Sequence, residues 1–286
     1  METSARRLLG ALAVFASAVC FYFSTVVIRF SKGAVLIDPS FFAFVRFVMG
    51  FITVCIIMAF LRKPPQPRNY HLLIGRTIAN CIAVYCFYMA VAHTSVAEAN
   101  ILNMTYPVFV ALFTWIFFRS QHDPLAMGMV GIAFIGIWLI LSPDHIDVKM
   151  DNLWGLASGL SASFAIIYLN VSRQIHDTNT VLFFMFGLGV IFMLLFFHKH
   201  FFLPDATATY YLVLCGFCGV AGQFLLTVGF RFITAVQGSI ISSMRIFIAA
   251  MLGPLVVGEG PLTLTGWIGA SLLFAANAVL AVRHSH

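Results

Sequence analysis

A chain of 286 residues that is 61% hydrophobic and only 9% charged, with a mean hydropathy of +0.99, is not built for water, because soluble domains carry about 25% charged residues. Its net charge of +6 rests on 16 Lys and Arg against 10 Asp and Glu. The basic residues sit in short segments between apolar runs, with no compact patch interleaved with aromatics, so nucleic acid is excluded as a partner and a lipid bilayer is expected.

The first apolar run, 8–30, follows Arg6 and Arg7 as a signal peptide would. It is too long for a signal h-region and lacks a small-residue cleavage site, so it is expected to remain as a first helix. It carries Ser17, Cys20 and Ser24 at i, i+3 and i+7. Spans two and three, 39–61 and 70–92, flank the linker RKPPQPRN, and the third brings Asn80, Tyr85 and Tyr88. Arg46 and Arg76 lie nearer the ends of these spans and are expected to snorkel or pair.

Span four, 96–118, contains EANILNMTYPVF, in which Asn100, Asn103 and Pro107 share one helical face with Tyr106 adjacent. Span five, 124–141, runs into the break SPDHIDVKMD at 142–151. Spans six to eight, 152–174, 179–197 and 208–231, follow. Span six offers Ser158, Ser161 and Tyr168, and span eight Gln223 and Thr227. Spans nine and ten cover 235–257 and 261–282. Pro39, Pro124 and Pro261 stand near helix starts, where a missing N–H does no harm.

Span nine echoes span four. Ser95, Glu98, Asn100, Ile101, Asn103 and Tyr106 are matched by Thr234, Gln237, Ser239, Ile240, Ser242 and Arg245, each 139 residues later. Arg245 lies about ten residues into its span, roughly 15 Å deep, where a charge costs at least about 2.5–3.5 kcal/mol. Its partner is open between carbonyls, Tyr106 and a substrate carboxylate. Polar groups in hydrocarbon face protein or a wet cavity, and interhelical hydrogen bonding is the plainer reading for any single one. The paired stripe favours a cavity lined by Ser17, Asn80, Tyr85, Asn100, Asn103, Tyr106, Ser161, Tyr168, Gln223, Ser239, Ser242 and Arg245. Aromatic rings with polar tips suit organic solutes. Pro107 and Pro254 remove backbone hydrogen bonds and are candidate hinges.

With the N-terminus inside, nine basic residues (Arg6, Arg7, Arg62, Lys63, Arg68, Arg119, Arg173, Arg231, Arg283) face the cytoplasm, against Lys32, Lys149, Lys199 and the edge residue Arg29 outside. Both termini are then cytoplasmic. Five spans on each side of the break give two oppositely oriented halves, 1–142 and 143–286. The expected fold is therefore all-α integral membrane, ten transmembrane helices in two inverted five-helix repeats around a central cavity.

The six cysteines lie inside apolar segments, and Cys215-x-x-Cys218 has no second pair, so neither disulfide nor metal is expected and no cofactor is implied. GLSAS at 159–163 approaches a nucleophile elbow but lacks its last Gly and a His at matching depth. Close helix packing accounts for it better than an intramembrane serine enzyme, and the chain is read as no enzyme. No phosphate-binding G-x-x-x-x-G-K-[ST] occurs. Facilitated diffusion or exchange is expected, with Glu98 the one candidate proton carrier. Glycine-rich spans five and ten leave tight internal packing and a homodimer both open.

The ten-span layout, the segment NILNMTYPVFVALFTW and the segment VVGEGPLTLTGWIGASLLFAANAVL (256–280) resemble the drug/metabolite transporter superfamily, EamA type, with Glu259 in the signature position. The first-half counterpart is Ser120, where that family often repeats the Glu. The general look is similar to its YddG-type aromatic amino-acid exporters. The resemblance implies inner-membrane export of amino acids or related small metabolites by alternating access. Sister families carry drugs, nucleotide sugars or phosphate esters. Anionic cargo of that kind would favour several basic cavity residues, and with one at mid-depth a zwitterion or aromatic solute fits better.

Overall fold

A computed structural model describes residues 2–117, 124–141, 150–172, 175–229, 232 and 241–283. The main helices are α1 (Glu2–Ser31), α2 (Pro39–Leu61), α3 (Tyr70–His93), α4 (Val96–Asn103), α5 (Tyr106–Phe117), α6 (Pro124–Leu141), α7 (Leu153–Ser172), α8 (Thr178–Phe197), α9 (Ala206–Gly229), α10 (Arg245–Leu252) and α11 (Leu264–Arg283). Seven of the expected spans are long and apolar enough to cross a bilayer; the other three contain shorter apolar helices, 127–140, 241–257 and 264–280. The outward faces are apolar, with Leu12, Ile52, Ile56, Phe60, Leu195 and Phe217 exposed. Such a surface suits hydrocarbon and is out of place in water.

Local chemistry sets the helix ends. Asp38 accepts the Ser40 N–H at 2.8 Å and Pro39 opens α2. Ser95 and Glu98 form a reciprocal capping box at the start of α4. Asp177 accepts from the Thr180 N–H at 3.3 Å, and Asp205 from the Ala208 N–H at 2.8 Å. Arg62 ends α2 in a left-handed conformation, φ 51.

Two of the expected spans are broken. Span four stops at Met104–Thr105, between α4 and α5. Pro107 has no N–H for the Asn103 carbonyl and crowds it, so the helix cannot run through, while the Thr105 hydroxyl donates back to Leu102 O at 2.7 Å. In span nine residues 241–243 are helical, Met244 interrupts, and α10 restarts at Arg245. Met244 follows Thr105 by the same 139 residues as the sequence echo. Pro254 lies farther along, in a π-helical turn over Gly253–Val257.

The most extensive helix contacts pair α3 with α7, α1 with α9, α6 with α11 and α2 with α8, and α4 packs on α10. Each joins a helix before residue 142 to one after residue 150. Small residues permit the approach. A Cβ on Gly136 would lie 2.8 Å from Gly269 O, and one on Gly269 2.6 Å from Gly136 O, so these glycines of α6 and α11 pack against each other inside the fold. A Cβ on Gly159 would collide with the Thr105 hydroxyl and lie 2.9 Å from Leu102 O. The GLSAS segment is thus where α7 presses on the break in span four. Apolar side chains fill the rest, one cluster around Phe42, Phe47, Phe186 and Tyr88, another around Leu102, Ile137, Ile246 and Leu273.

Candidate functional site

Between the halves lies a cavity of about 150 Å³, lined from α1, α3, α4, α7, α9 and α10 as well as by Arg46 of α2. Ser17, Asn80, Asn103, Tyr106, Gln223, Ser242 and Arg245, all expected from the sequence, line it. The break in span four lets Asn103, Met104 and Tyr106 reach it together, and the break in span nine does the same for Ser242 and Arg245.

Arg245 is 5% exposed and gives an Nη2–H to the Asn103 carbonyl oxygen. Asn103 in turn donates from Nδ2 to the Ser158 hydroxyl. The guanidinium carbon of Arg245 stands 5.8 Å from the Phe21 ring centroid and 5.3 Å from that of Phe87. Those rings attract its charge and leave its edges for hydrogen bonding. Its Nε has no partner among the described residues, nor has the buried hydroxyl of Ser17.

Four expected cavity residues lie elsewhere. Asn100 is fully buried and donates to Thr25 Oγ1 at 3.1 Å and Val96 O at 2.8 Å, a structural bond between α4 and α1. The Tyr85 ring packs 4.5 Å from Phe197 and 6.0 Å from Trp154. Tyr168 covers Gly75, where a Cβ would meet its ring at 2.6 Å. Ser161 is half-buried on α7, outside the lining. Ser239, with Thr234, Gln237 and Ile240, falls outside the described residues, as does Ser120.

Of the two outcomes expected for Arg46 and Arg76, snorkelling or pairing, both residues pair inside the bundle. They are 5% and 4% exposed and both line the cavity. Arg46 donates from Nη1 to the Tyr88 hydroxyl at 3.2 Å and its guanidinium carbon stands 5.4 Å from the Phe21 centroid. Its stem fills a slot left by Gly219, where a Cβ would lie 2.8 Å from Cδ. Arg76 donates from Nη1 to Ala165 O at 3.0 Å. Distance from a helix end misled here, because the bundle turns both side chains inward. The small residues of α9 opposite Arg46 were the available signal. The cavity therefore holds three arginines where one was expected, and no Asp or Glu is among its described lining residues.

The cavity sits mid-bundle, with Phe87 six residues from the end of α3 and Arg46 seven from the start of α2, and it reaches toward one end. Arg76 is six residues from the start of α3, Leu169 three from the end of α7 and Leu226 three from the end of α9. At that end His176, on the turn before α8, accepts the N–H groups of Arg68 at 2.9 Å and Asn69 at 3.2 Å through Nε2. Its proton then sits on Nδ1, 3.2 Å from Ser172 O. Thr180 Oγ1 accepts the Gln66 N–H at 3.1 Å.

At the opposite end Glu259 accepts the Val96 N–H at 2.8 Å and pairs with Arg29 Nε at 2.8 Å. It ties the end of α1 and the start of α4 to the turn after α10. Burial pushes its carboxyl above the ordinary value, against the pull of the Val96 N–H and Arg29. Glu98, the candidate proton carrier, is engaged with Ser95 N and Oγ in the capping box.

Comparison with known proteins agrees with this architecture. The profile of the EamA-like transporter family matches twice, over residues 8–142 and 150–282. The pseudopaline exporter CntI of Pseudomonas aeruginosa is 23% identical over 270 residues, 94% of each chain. An uncharacterized transporter of Archaeoglobus fulgidus is 24% identical over 267 residues, 93% of this chain and 94% of that one. A solved crystal structure overlays with a TM-score of 0.61 at 17% identity, covering 99% of both chains, which speaks for the fold alone. A duplicated family match, apolar helices and a polar cavity between the halves have one reading: the chain belongs to the EamA-like transporter family of the drug/metabolite transporter superfamily, a multi-pass membrane protein that moves small molecules.

Proposed function

We propose that this transporter exports small carboxylate-bearing metabolites, aromatic or neutral amino acids and their relatives, by alternating access of the central cavity. The observation that carries the reading is Arg245, buried in the cavity between two aromatic rings and anchored by Asn103. A guanidinium offers donors in a fork that matches a carboxylate. Phe21 and Phe87 supply apolar faces for the rest of a solute.

The ten spans form two inverted five-helix repeats, 1–142 and 143–286, in the inner membrane with both termini cytoplasmic. The family match over both halves, the equivalent breaks at Thr105 and Met244 and the positive-inside count support this. In that orientation the central cavity reaches toward the cytoplasm through Arg76, Leu169 and Leu226, and the Glu259 end faces outward. Pro107 and Pro254 act as hinges as the halves rock.

Uptake of labelled solutes into proteoliposomes tests the function. Saturable flux is expected, with Arg245→Ala reducing it by roughly tenfold or more, the worth of a charge-assisted hydrogen bond of about 1.5–3 kcal/mol. A panel of carboxylate-bearing solutes giving no flux above empty liposomes would overturn the proposal. Flux that survives the substitution would make Arg245 structural. Pro107→Ala and Pro254→Ala are expected to slow turnover while leaving binding intact, and unchanged turnover would remove the hinges.

A further inference from the structure

We infer that the preferred cargo is a small organic dianion, ahead of any zwitterion, because Arg46 and Arg245 present two positive charges to one cavity with no acid among its described lining residues. The inference rests on the transport reading above and, within its carboxylate-bearing cargo, ranks dianions ahead of the zwitterionic amino acids.

Both guanidinium groups face the same Phe21 ring, at 5.4 and 5.8 Å. They therefore share one small volume and repel each other. The partners each has found are neutral: the Tyr88 hydroxyl for Arg46 and the Asn103 amide oxygen for Arg245. The Nε of each is buried with no partner among the described residues. The hydroxyl of Ser17, fully buried on the same wall, is in the same position. Arg76 adds a third positive charge to the lining. Two buried cations with no counter-charge among the described lining residues are penalised by desolvation, and a bound anion offsets that penalty.

The ammonium of an amino acid would meet the opposite condition. No carboxylate is among the described lining residues, so it would find amide and hydroxyl oxygens, and ring faces already held by the guanidinium groups that repel it. A cavity of about 150 Å³ is of the size that admits a benzene ring. An aromatic or short aliphatic dianion, carrying two carboxylates or one phosphate, satisfies the donors and the rings together.

Ligand-induced thermal stabilisation of the purified full chain in detergent, with matched competition for flux in proteoliposomes, tests this. The probes share one ring: terephthalate, para-methylbenzoate and para-aminomethylbenzoate, with phenyl phosphate as the one-centre dianion. A dianion is expected to bind roughly tenfold tighter than the monoanion, with the zwitterion weakest. Whichever of terephthalate and phenyl phosphate binds tighter tells a dicarboxylate site from a phosphate site. Arg46→Gln should abolish the dianion preference and leave para-methylbenzoate binding in place, and Arg46→Lys should keep the preference.

The inference falls if the zwitterion binds as tightly as terephthalate and phenyl phosphate, or if the preference survives in Arg46→Gln. Melting of the unliganded variants shows whether each is folded. Para-aminomethylbenzoate transported best would sink the dianion and spare the transporter, whereas no flux of any probe or amino acid would sink both.

Discussion

Glu259 and His176 hold opposite ends of the bundle by different means. At the first end a carboxylate collects the Arg29 guanidinium and the Val96 N–H, binding α1, α4 and the turn after α10 with formal charge. At the second, an imidazole and a hydroxyl accept three backbone N–H groups from the 62–69 linker. Both ends fasten the first half of the chain to the second. The charged end should answer to ionic strength and acidity, and the imidazole end to loss of an acceptor. A carrier latched by unlike chemistries can have its two ends loosened separately.

The largest separation should come from Glu259→Ala. It removes the acceptor of Val96 and leaves Arg29 without its acid, costing about 1–3 kcal/mol after allowance for the partial exposure of Arg29. Thiol labelling of a cysteine placed at Ser95 should quicken while one placed at Gln66 is unaffected. Equal labelling at both ends would erase the distinction.

His176→Phe is the converse. It strands the Arg68 and Asn69 N–H groups, with an expected cost of about 1–2 kcal/mol. Quickened labelling at Gln66→Cys, and none at Ser95→Cys, is the expected outcome.

Salt should sharpen the contrast more gently. The screening length falls from about 10 Å at 0.1 M to about 3 Å at 1 M, and the side chain of Arg29 is 32% exposed. High salt is expected to raise labelling at Ser95→Cys alone; a parallel rise at Gln66→Cys would show a general loosening instead.

Acidity gives the smallest effect and a sign that the ion pair alone would not suggest. Because burial raises the Glu259 carboxyl, the closed arrangement binds a proton more tightly than an open, solvated one. Between the ordinary carboxylate value of 4.5 and the raised value, lowering the pH therefore favours closure, and raising it favours opening. Arg29, Lys32 and Glu98 are the charged neighbours that shape this response. Labelling at Ser95→Cys should slow on acidification through that window; acceleration would mean that the pair, and not burial, governs the carboxyl.

Much of the architecture could be read from the residues, because a bilayer enforces it. Apolar runs of fixed length, prolines near helix starts and basic residues between spans each leave a mark on the sequence. The polar stripe on span four and its echo in span nine located four of the cavity's residues, Asn103, Tyr106, Ser242 and Arg245, and spans one, three and eight supplied Ser17, Asn80 and Gln223. The breaks at Thr105 and Met244 were not foreseen; Pro107 was noted as a hinge, yet the break appears one turn earlier, where the carbonyl loses its partner. Asn100 shares a face with Asn103 in an ideal helix, but it lies nearer the start of α4 and bonds to Thr25 of α1. Tyr85 and Tyr168 show that a polar tip does not draw a ring into a cavity when aromatic neighbours or a glycine slot will hold it. Arg46 and Arg76 pair, one of the outcomes expected, but their place in the cavity was missed because depth along one helix says nothing of which helix stands opposite.

The imbalance of charge in the cavity also bears on how the protein completes its cycle. A carrier that has released its load must turn back through a closed form, and here that form would enclose two guanidinium groups with only neutral partners. Each 1.4 kcal/mol added to the empty return leg slows it tenfold. The unladen protein would be held back at the step where it should reset, and any anion on the far side that can ride home in the vacated cavity becomes a trans-stimulator of export.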